Sequence, residues 1–170
     1  ADAARLAGVS SAQLGGWSRQ IHGAAPSRYE LPTIAMAAAL RELSRAGFQP
    51  SEFVPVIRLV AVPILAHAET AETVAIEAAG AALTDAERAR FLDISRAGQS
   101  RQEYAWFPLP LRTAGEPLAS VYLLADLEDA RPRTLAAPAG LLLDLSAVGA
   151  RIAARARGPL VRYRVKEAAA

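Results

Sequence analysis

The side chains best suited to binding another molecule lie near the start of the chain. They are hydrogen-bond donors and cations: Arg5, Ser10, Ser11, Gln13, Arg19, His22, Arg28 and Tyr29. Guanidinium groups are planar and fork-shaped, so Arg19 and Arg28 suit both phosphate oxygens and the acceptor edge of guanine. Gln13 could instead complete a helix cap, and Tyr29 could instead pack as a largely apolar side chain. The set is typical of phosphate and base contacts.

Other kinds of chemistry lack the residues that they need. The 170-residue chain has no cysteine, which excludes disulfides, thiolate metal ligands and a cysteine nucleophile. His22 and His67 are far apart in sequence and have no acidic companions at ligand spacing, so no metal site is predicted. No glycine-rich phosphate loop, nucleophile elbow or paired-carboxylate motif is present, and no cofactor is expected. The sequence therefore favours a protein that is not an enzyme, and an enzyme without a readable motif remains the alternative.

Two short helices joined by a tight turn would position most of these side chains. An apolar helical pattern over residues 3–7 stops at Gly8, where a glycine lets the chain reverse. Ser10 followed by Gln13 is a capping box, in which each residue binds the backbone N–H of the other. A second helix should therefore begin at Ser11.

The second helix has one face suited to burial. Leu14 and Trp17 lie three residues apart and are expected to pack against Leu6 and Val9. The opposite face is left for solvent or a partner. Two short helices with a glycine-containing turn constitute a helix-turn-helix.

A hairpin and a third helix are expected next. Residues 21–29 are rich in Gly, Ala, Pro and Ser, and they could form a small hairpin, or wing, with Arg28 and Tyr29 on its return strand. Pro32 suits the first turn of a third helix that ends at Gly47, with Phe48 packing back. The apolar residues of that helix are Ile34, Ala37, Leu40 and Leu43.

These residues resemble the MerR-like winged helix-turn-helix DNA-binding domains. The resemblance covers about residues 1–60 and rests on Ala3-Ala4-Arg5-Leu6-Ala7-Gly8-Val9-Ser10, on Leu14 and Trp17, on Arg28-Tyr29, on Leu40-Arg41-Glu42-Leu43 and on Gly47-Phe48. It implies a dimeric regulator whose second helix enters the major groove while the wing contacts flanking backbone. Relatives usually carry basic residues where this chain has Gly15 and Gly16. These glycines could permit a close approach to DNA, or they could mark a domain that no longer binds it.

The connector that follows is predicted to be helical. One helix should open at Ser51-Glu52, with Pro55 in its first turn and a kink or break at Pro63. An alanine-rich helix is expected over residues 69–82, and a second capping box, Thr84 with Glu87, should start a helix over residues 85–97. The resemblance to MerR-like domains implies that residues 53–82 could form a dimerisation helix, or they could cover the core of a single chain.

The remaining sequence is predicted to form an antiparallel α+β domain. Pro108 and Pro110 lie two residues apart and both lack a backbone N–H, so one side of the strand lacks these donors and residues 104–111 should form an edge strand. Residues 118–127 are apolar at nearly every position and should form the central strand. Strands are also expected over residues 140–145 and 160–165. Between them lies a helix capped by Asp144 or Ser146, with Val148, Ile152 and Ala153 inward and Arg151, Arg155 and Arg157 outward. These arginines could contact nucleic acid or could simply face solvent.

Composition indicates the general class of the protein. The net charge is +2, and 52% of residues are hydrophobic but only 6% aromatic, which reflects abundant alanine and indicates helices. No apolar stretch reaches the roughly 18–20 residues of a membrane helix, and a cytoplasmic location is expected. Because Ala1 lies within an apparent helix, the natural N-terminus is expected to lie upstream.

The sequence therefore predicts an α+β fold in three parts. These are a winged helix-turn-helix over residues 1–50, a helical connector over residues 51–98, and a ligand- or partner-binding α+β domain over residues 101–167. The predicted function is a homodimeric, sequence-specific transcriptional regulator that binds double-stranded DNA, with a small-molecule effector or protein partner at its C-terminal domain. The alternative is an antitoxin or adaptor-type interaction module, in which DNA binding is lost and the strand at residues 104–111 recruits a partner strand.

Overall fold

Helices and two small sheets form a mixed α+β fold, as predicted at the level of fold class. The structure is a computed structural model that describes residues 2–24, 26–70, 72–78, 81–82, 84–87, 89–90, 102–109, 121–130 and 139–165. In these ranges no helix combines the length and apolar character needed to cross a bilayer.

The first two helices form as the sequence predicts. Helix α1 spans Asp2–Ala7 and ends at Gly8, whose φ of 72° lies in the left-handed region that favours glycine. Helix α2 spans Ser11–His22. Gln13 N–H donates to Ser10 Oγ at 3.1 Å and Ser10 N–H donates to Gln13 Oε1 at 3.0 Å, which confirms the capping box.

The wing predicted over residues 21–29 is not a hairpin in the described residues. Helix α2 continues to His22 because Ile21 lies one turn beyond Trp17 and is buried in the core, and Gly23 then ends the helix. Residues 23–24 and 26–30 form a loop that pairs with no described strand. Arg28 and Tyr29 therefore lie on a loop that leads into the third helix.

Helix α3, Leu31–Arg45, is the central element of the fold. Pro32 occupies its first turn, and beyond its end Phe48 N–H donates to Leu43 O at 3.1 Å, as the glycine at position 47 predicts. Every residue from Thr33 to Leu40 is buried, because the small alanines let neighbouring elements approach from several sides. Helices α1 and α2 pack on α3, as do the two helices that follow.

The helix predicted to open at Ser51 is divided into two. Helix α4 spans Pro50–Phe53, a turn follows over residues 54–57, and helix α5 spans Arg58–Ala68. The break comes before Pro63, which lies inside α5. Pro63 has no N–H to donate to the carbonyl of Leu59, which is an exposed residue of the helix. Helix α5 packs against α3 in the core.

The prediction of a helix over residues 69–82 is wrong. Strand β1, Val74–Ala78, pairs antiparallel with β2, Ala81–Ala82, and parallel with β6, Val161–Val165. Thr73 redirects the chain after α5, since its Oγ1 donates to Ala68 O at 2.7 Å and its carbonyl accepts the Leu160 N–H at 2.6 Å. The last strand therefore belongs to a sheet shared with the connector, and residues 101–167 are not one purely antiparallel unit.

The capping box of Thr84 and Glu87 is confirmed. Glu87 N–H donates to Thr84 Oγ1 at 3.3 Å, and Thr84 N–H donates to Glu87 Oε2 at 2.8 Å. The pKa of Glu87 is lowered from its usual value by this backbone hydrogen bond and by the Thr84 hydroxyl. Residues 85–87 and 89–90 are helical, and the rest of the helix predicted over residues 85–97 lies outside the described residues.

In the second sheet the predicted strand positions are reversed. Strand β3, Tyr104–Leu109, lies between β4, Tyr122–Leu124, and β5, Ala139–Asp144. The predicted edge strand is thus central among the described strands, and the predicted central strand contributes an edge of only three described residues. In the described register Pro108 lies opposite Gly140 of β5, and the pairing with β4 is described for Tyr104–Trp106. Residues 110–111 and 118–120, which belong to the two predicted strands, lie outside the described residues.

The last helix joins the sheet to the helical core. Helix α6, Leu145–Arg155, is capped by Asp144, whose Oδ1 accepts the Ala147 N–H at 2.8 Å. Its Val148 and Ile152 are buried, as predicted. Phe107 of β3 meets Phe53 edge to face at 5.2 Å, so sheet and helices share one apolar cluster. Residues on both sides of the predicted domain boundaries contribute to this cluster, and the boundaries themselves stay a prediction.

Candidate nucleic-acid interface

Helix α2 is held firmly at both ends and on one face. The capping box fixes its start, and Arg58 Nη2 donates to Ile21 O at 2.5 Å near its end. Leu14 is 1% exposed and packs with Leu6 and Ile34, which belong to α1 and α3. The position of the opposite face is therefore fixed by packing.

The opposite face of α2 is open. It is formed by Ser11, Ala12, Gly15, Gly16, Arg19 and Gln20, all exposed or half-buried. A side-chain carbon placed on Gly16 would meet nothing within 4 Å, and one placed on Gly15 would meet only the Tyr29 hydroxyl, at 3.6 Å. The two glycines thus leave the helix backbone approachable.

Arg19, Arg28 and Ser11 are the predicted contact residues that remain available. All three are exposed. Gln20 lies one turn beyond Gly16 on the same open face and was missed by the prediction, although its spacing from Gly16 was a usable signal. Its amide is suited to the paired donor and acceptor of adenine.

Ser10, Gln13 and His22 have partners within the chain. Ser10 and Gln13 are engaged in the cap of α2, which favours the capping role that the sequence left open for Gln13. His22 Nε2 lies 3.0 Å from Thr33 Oγ1. Tyr29 is half-buried and packs against the cluster of α1, α2 and α3, in line with its packing role.

Arg5 faces the last helix. Its Nη1 donates to Arg155 O, and its Nη2 lies 3.5 Å from Asp2 Oδ1. Arg155, predicted to point outward, instead donates from Nη1 to Leu6 O at 3.4 Å. Burial, followed by repulsion from Arg41, lowers the pKa of Arg155 from its usual value. Both guanidinium groups therefore join α1 to α6.

Arg151 and Arg157, predicted to point outward together with Arg155, are both exposed. Arg151 pairs with Glu42 at 3.0 Å, and Arg41 pairs with the same carboxylate at 2.6 Å. Arg157 is exposed, as predicted. Within the described ranges, no three histidine, aspartate or glutamate side chains are grouped so that they could hold a metal ion.

The geometry thus offers a packed helix with an open, small-residue face, an exposed Arg19 on that face and an exposed Arg28 on the loop before α3. Comparison with protein-family models, with curated proteins and with solved structures gave no match to this chain.

Proposed function

We propose that the chain is a sequence-specific DNA-binding transcriptional regulator whose helix α2 enters the major groove. The observation that carries the proposal is the open face of α2, opposite the packed Leu14 and centred on Gly15 and Gly16. The major groove is wide enough for a helix, and a face without bulky side chains lets that helix approach the base edges closely.

The exposed arginines support the same proposal. Arg19 lies on the open face, and Arg28 lies on the loop that precedes α3. Cations at these two positions would contact phosphates or guanine edges on either side of the inserted helix. Arg28 takes over the backbone contact that the resemblance assigned to a wing, although the loop carrying it is not a hairpin.

The test is binding of the full chain to short duplexes drawn from the region upstream of its own gene, measured by fluorescence anisotropy. Arg19→Ala and Arg28→Ala should each weaken binding by about 1–3 kcal/mol, and a variant that loses a phosphate contact should also show a shallower salt dependence. Arg45→Ala is the matched control, because Arg45 is an exposed arginine in the last turn of α3. If the chain ignores these duplexes at low salt, or if all three variants behave alike, the proposal is wrong.

A homodimer acting on a two-fold-related site is part of the proposal. Leu59 and Val62 of α5 are 56% and 68% exposed and lie three residues apart on one side of the helix. Apolar side chains in such a position are suited to a protein contact. Sedimentation of the chain with and without DNA tests this part.

The same two residues favour the second candidate, an antitoxin or adaptor-type interaction module with little or no DNA binding. Over Tyr104–Trp106 the predicted docking strand supplies no free edge, because this part of β3 is paired with both β4 and β5. A protein partner that binds at Leu59 and Val62, combined with no affinity for DNA, would favour this candidate over the first.

A further inference from the structure

A cleft lies between α1, the loop before α3 and the segment that joins α6 to β6. One half has a volume of about 340 Å³ and the other of about 590 Å³. Leu6, Pro159 and Leu160 line both halves, so the two halves adjoin. Both halves are open to solvent, so a ligand bound here would stay partly exposed.

The first half is positively charged. Its ionisable residues are Arg5, Arg157, Arg162 and Asp2. Asp2 forms an ion pair with Arg5 at 3.5 Å, and Arg162 has an interaction of its own, so the proposal uses the charge of Arg157. Arg157 is exposed and forms no ion pair with the part of the chain that the structure describes. An anion placed here would be attracted by the Arg157 guanidinium.

The second half is mainly apolar. Tyr29, Leu31, Pro32 and Leu160 line it, and its two charges, those of Arg28 and Glu30, are of opposite sign. A ring or short aliphatic chain could contact these side chains while a charged group attached to it lies in the first half.

Hydrogen bonds hold two walls of the cleft in place. Thr73 O accepts the N–H groups of Leu160 at 2.6 Å and of Val161 at 3.3 Å, which fixes the segment after Pro159. Arg5 Nη1 donates to Arg155 O, which fixes α1 against the other side. A cleft whose walls are already ordered loses little conformational entropy when a ligand binds.

We propose that this cleft binds a small organic anion in which a phosphate or carboxylate group is attached to an apolar body. The anionic group lies beside Arg157, and the apolar body lies against Tyr29 and Leu160. The inference concerns ligand binding alone, and it holds whether or not α2 binds DNA.

The test is a titration of the ¹⁵N-labelled full chain, followed by amide chemical shifts. The probes are phenyl phosphate and phenylacetate. Inorganic phosphate is the control for the charged group alone, and phenol is the control for the apolar body alone. At least one of the two aromatic anions should bind saturably, with the largest shifts at Leu6, Arg157 and Leu160, and at least about tenfold more tightly than either part. No saturable shift up to about 10 mM, or equal binding of inorganic phosphate, would overturn the proposal.

A pair of variants links the result to the cleft. Arg157→Gln should weaken binding of the aromatic anion about tenfold, because a charge-assisted hydrogen bond is lost. Arg45→Gln, at an exposed arginine that does not line the cleft, should leave it unchanged. Both positions are exposed, so both variants should fold. Equal weakening by the two variants, or shifts centred elsewhere, would reject the site.

Discussion

Arg5 and Arg155 each donate to a backbone carbonyl near the end of the other's helix, although they lie 150 residues apart in sequence. Arg5 Nη1 donates to Arg155 O, and Arg155 Nη1 donates to Leu6 O at 3.4 Å. The last carbonyls of a helix have no donor within that helix, so each arginine satisfies an orphaned acceptor and places a cation at the negative end of a helix dipole. The first and last helices are joined by this reciprocal contact.

Arg155→Met should therefore lower the free energy of unfolding by about 1–2 kcal/mol, because methionine retains much of the packing but donates no hydrogen bond. Urea denaturation measures the change. Arg157→Met is the control, since Arg157 is exposed, and it should change stability by no more than about 0.5 kcal/mol. Equal stabilities of the two variants would mean that the contact contributes nothing.

Two glycines at the start of the chain should respond to alanine in opposite directions. At Gly8 the backbone has a φ of 72° and an added carbon would lie 2.8 Å from Arg155 Cζ, so Gly8→Ala should destabilise the fold by about 1–2 kcal/mol or more. At Gly16 an added carbon meets nothing within 4 Å and the residue is helical, so Gly16→Ala should stabilise it by about 1 kcal/mol. Thermal unfolding measures the change in melting temperature for each variant. Changes in the same direction would contradict the different roles given to Gly8 and Gly16.

The elements that the sequence predicts well are those whose ends are decided locally. Ser10 and Gln13 fix the start of α2 within one turn, and the glycine at position 47 ends α3 in the same way. Such caps depend on hydrogen bonds between residues a few positions apart, so their spacing is visible in one sequence. The open face of α2 follows from the same local pattern.

The errors come from contacts between distant residues. Val74–Ala78 lies in an alanine-rich stretch that favours a helix by composition, and its strand partner is Val161–Val165 near the other end of the chain. Arg155 occupies an outward position by helical spacing but is drawn to Leu6 by an acceptor on another helix. Neither partner can be identified from local periodicity, because long-range pairing overrides weak propensity.

Tyr163 should make the stability of the chain sensitive to alkaline pH. Burial, and then a hydrogen bond of 3.0 Å to Glu69 Oε2, raise the pKa of Tyr163 above its usual value. A raised pKa in the folded state means that the contribution is fully present below the unfolded pKa of about 10 and is lost as the pH rises through the folded pKa. Relative to Tyr163→Phe, the natural chain should therefore lose stability above about pH 10.

Urea unfolding of both chains at about pH 8 and about pH 11 measures this difference. Glu69→Gln removes the facing carboxylate but leaves the hydroxyl buried, so it should recover only part of the alkaline loss. Parallel pH profiles for the natural chain and Tyr163→Phe would show that Tyr163 has no such role.

Gly16→Leu separates the two interpretations of the glycine pair on α2. Leucine is a good helix former and the position is open, so the variant should fold at least as stably as the natural chain. If α2 lies deep in the major groove, the added side chain would collide with base edges, and affinity for a cognate duplex should fall by about 2 kcal/mol or more, with folding intact. Ala12→Leu tests whether the contact extends further along the helix, because Ala12 lies one turn earlier on the same exposed face. Fluorescence anisotropy measures the affinity of both variants for DNA, and circular dichroism checks that both are folded. If both folded variants bind DNA as tightly as the natural chain, this helix face does not approach DNA closely.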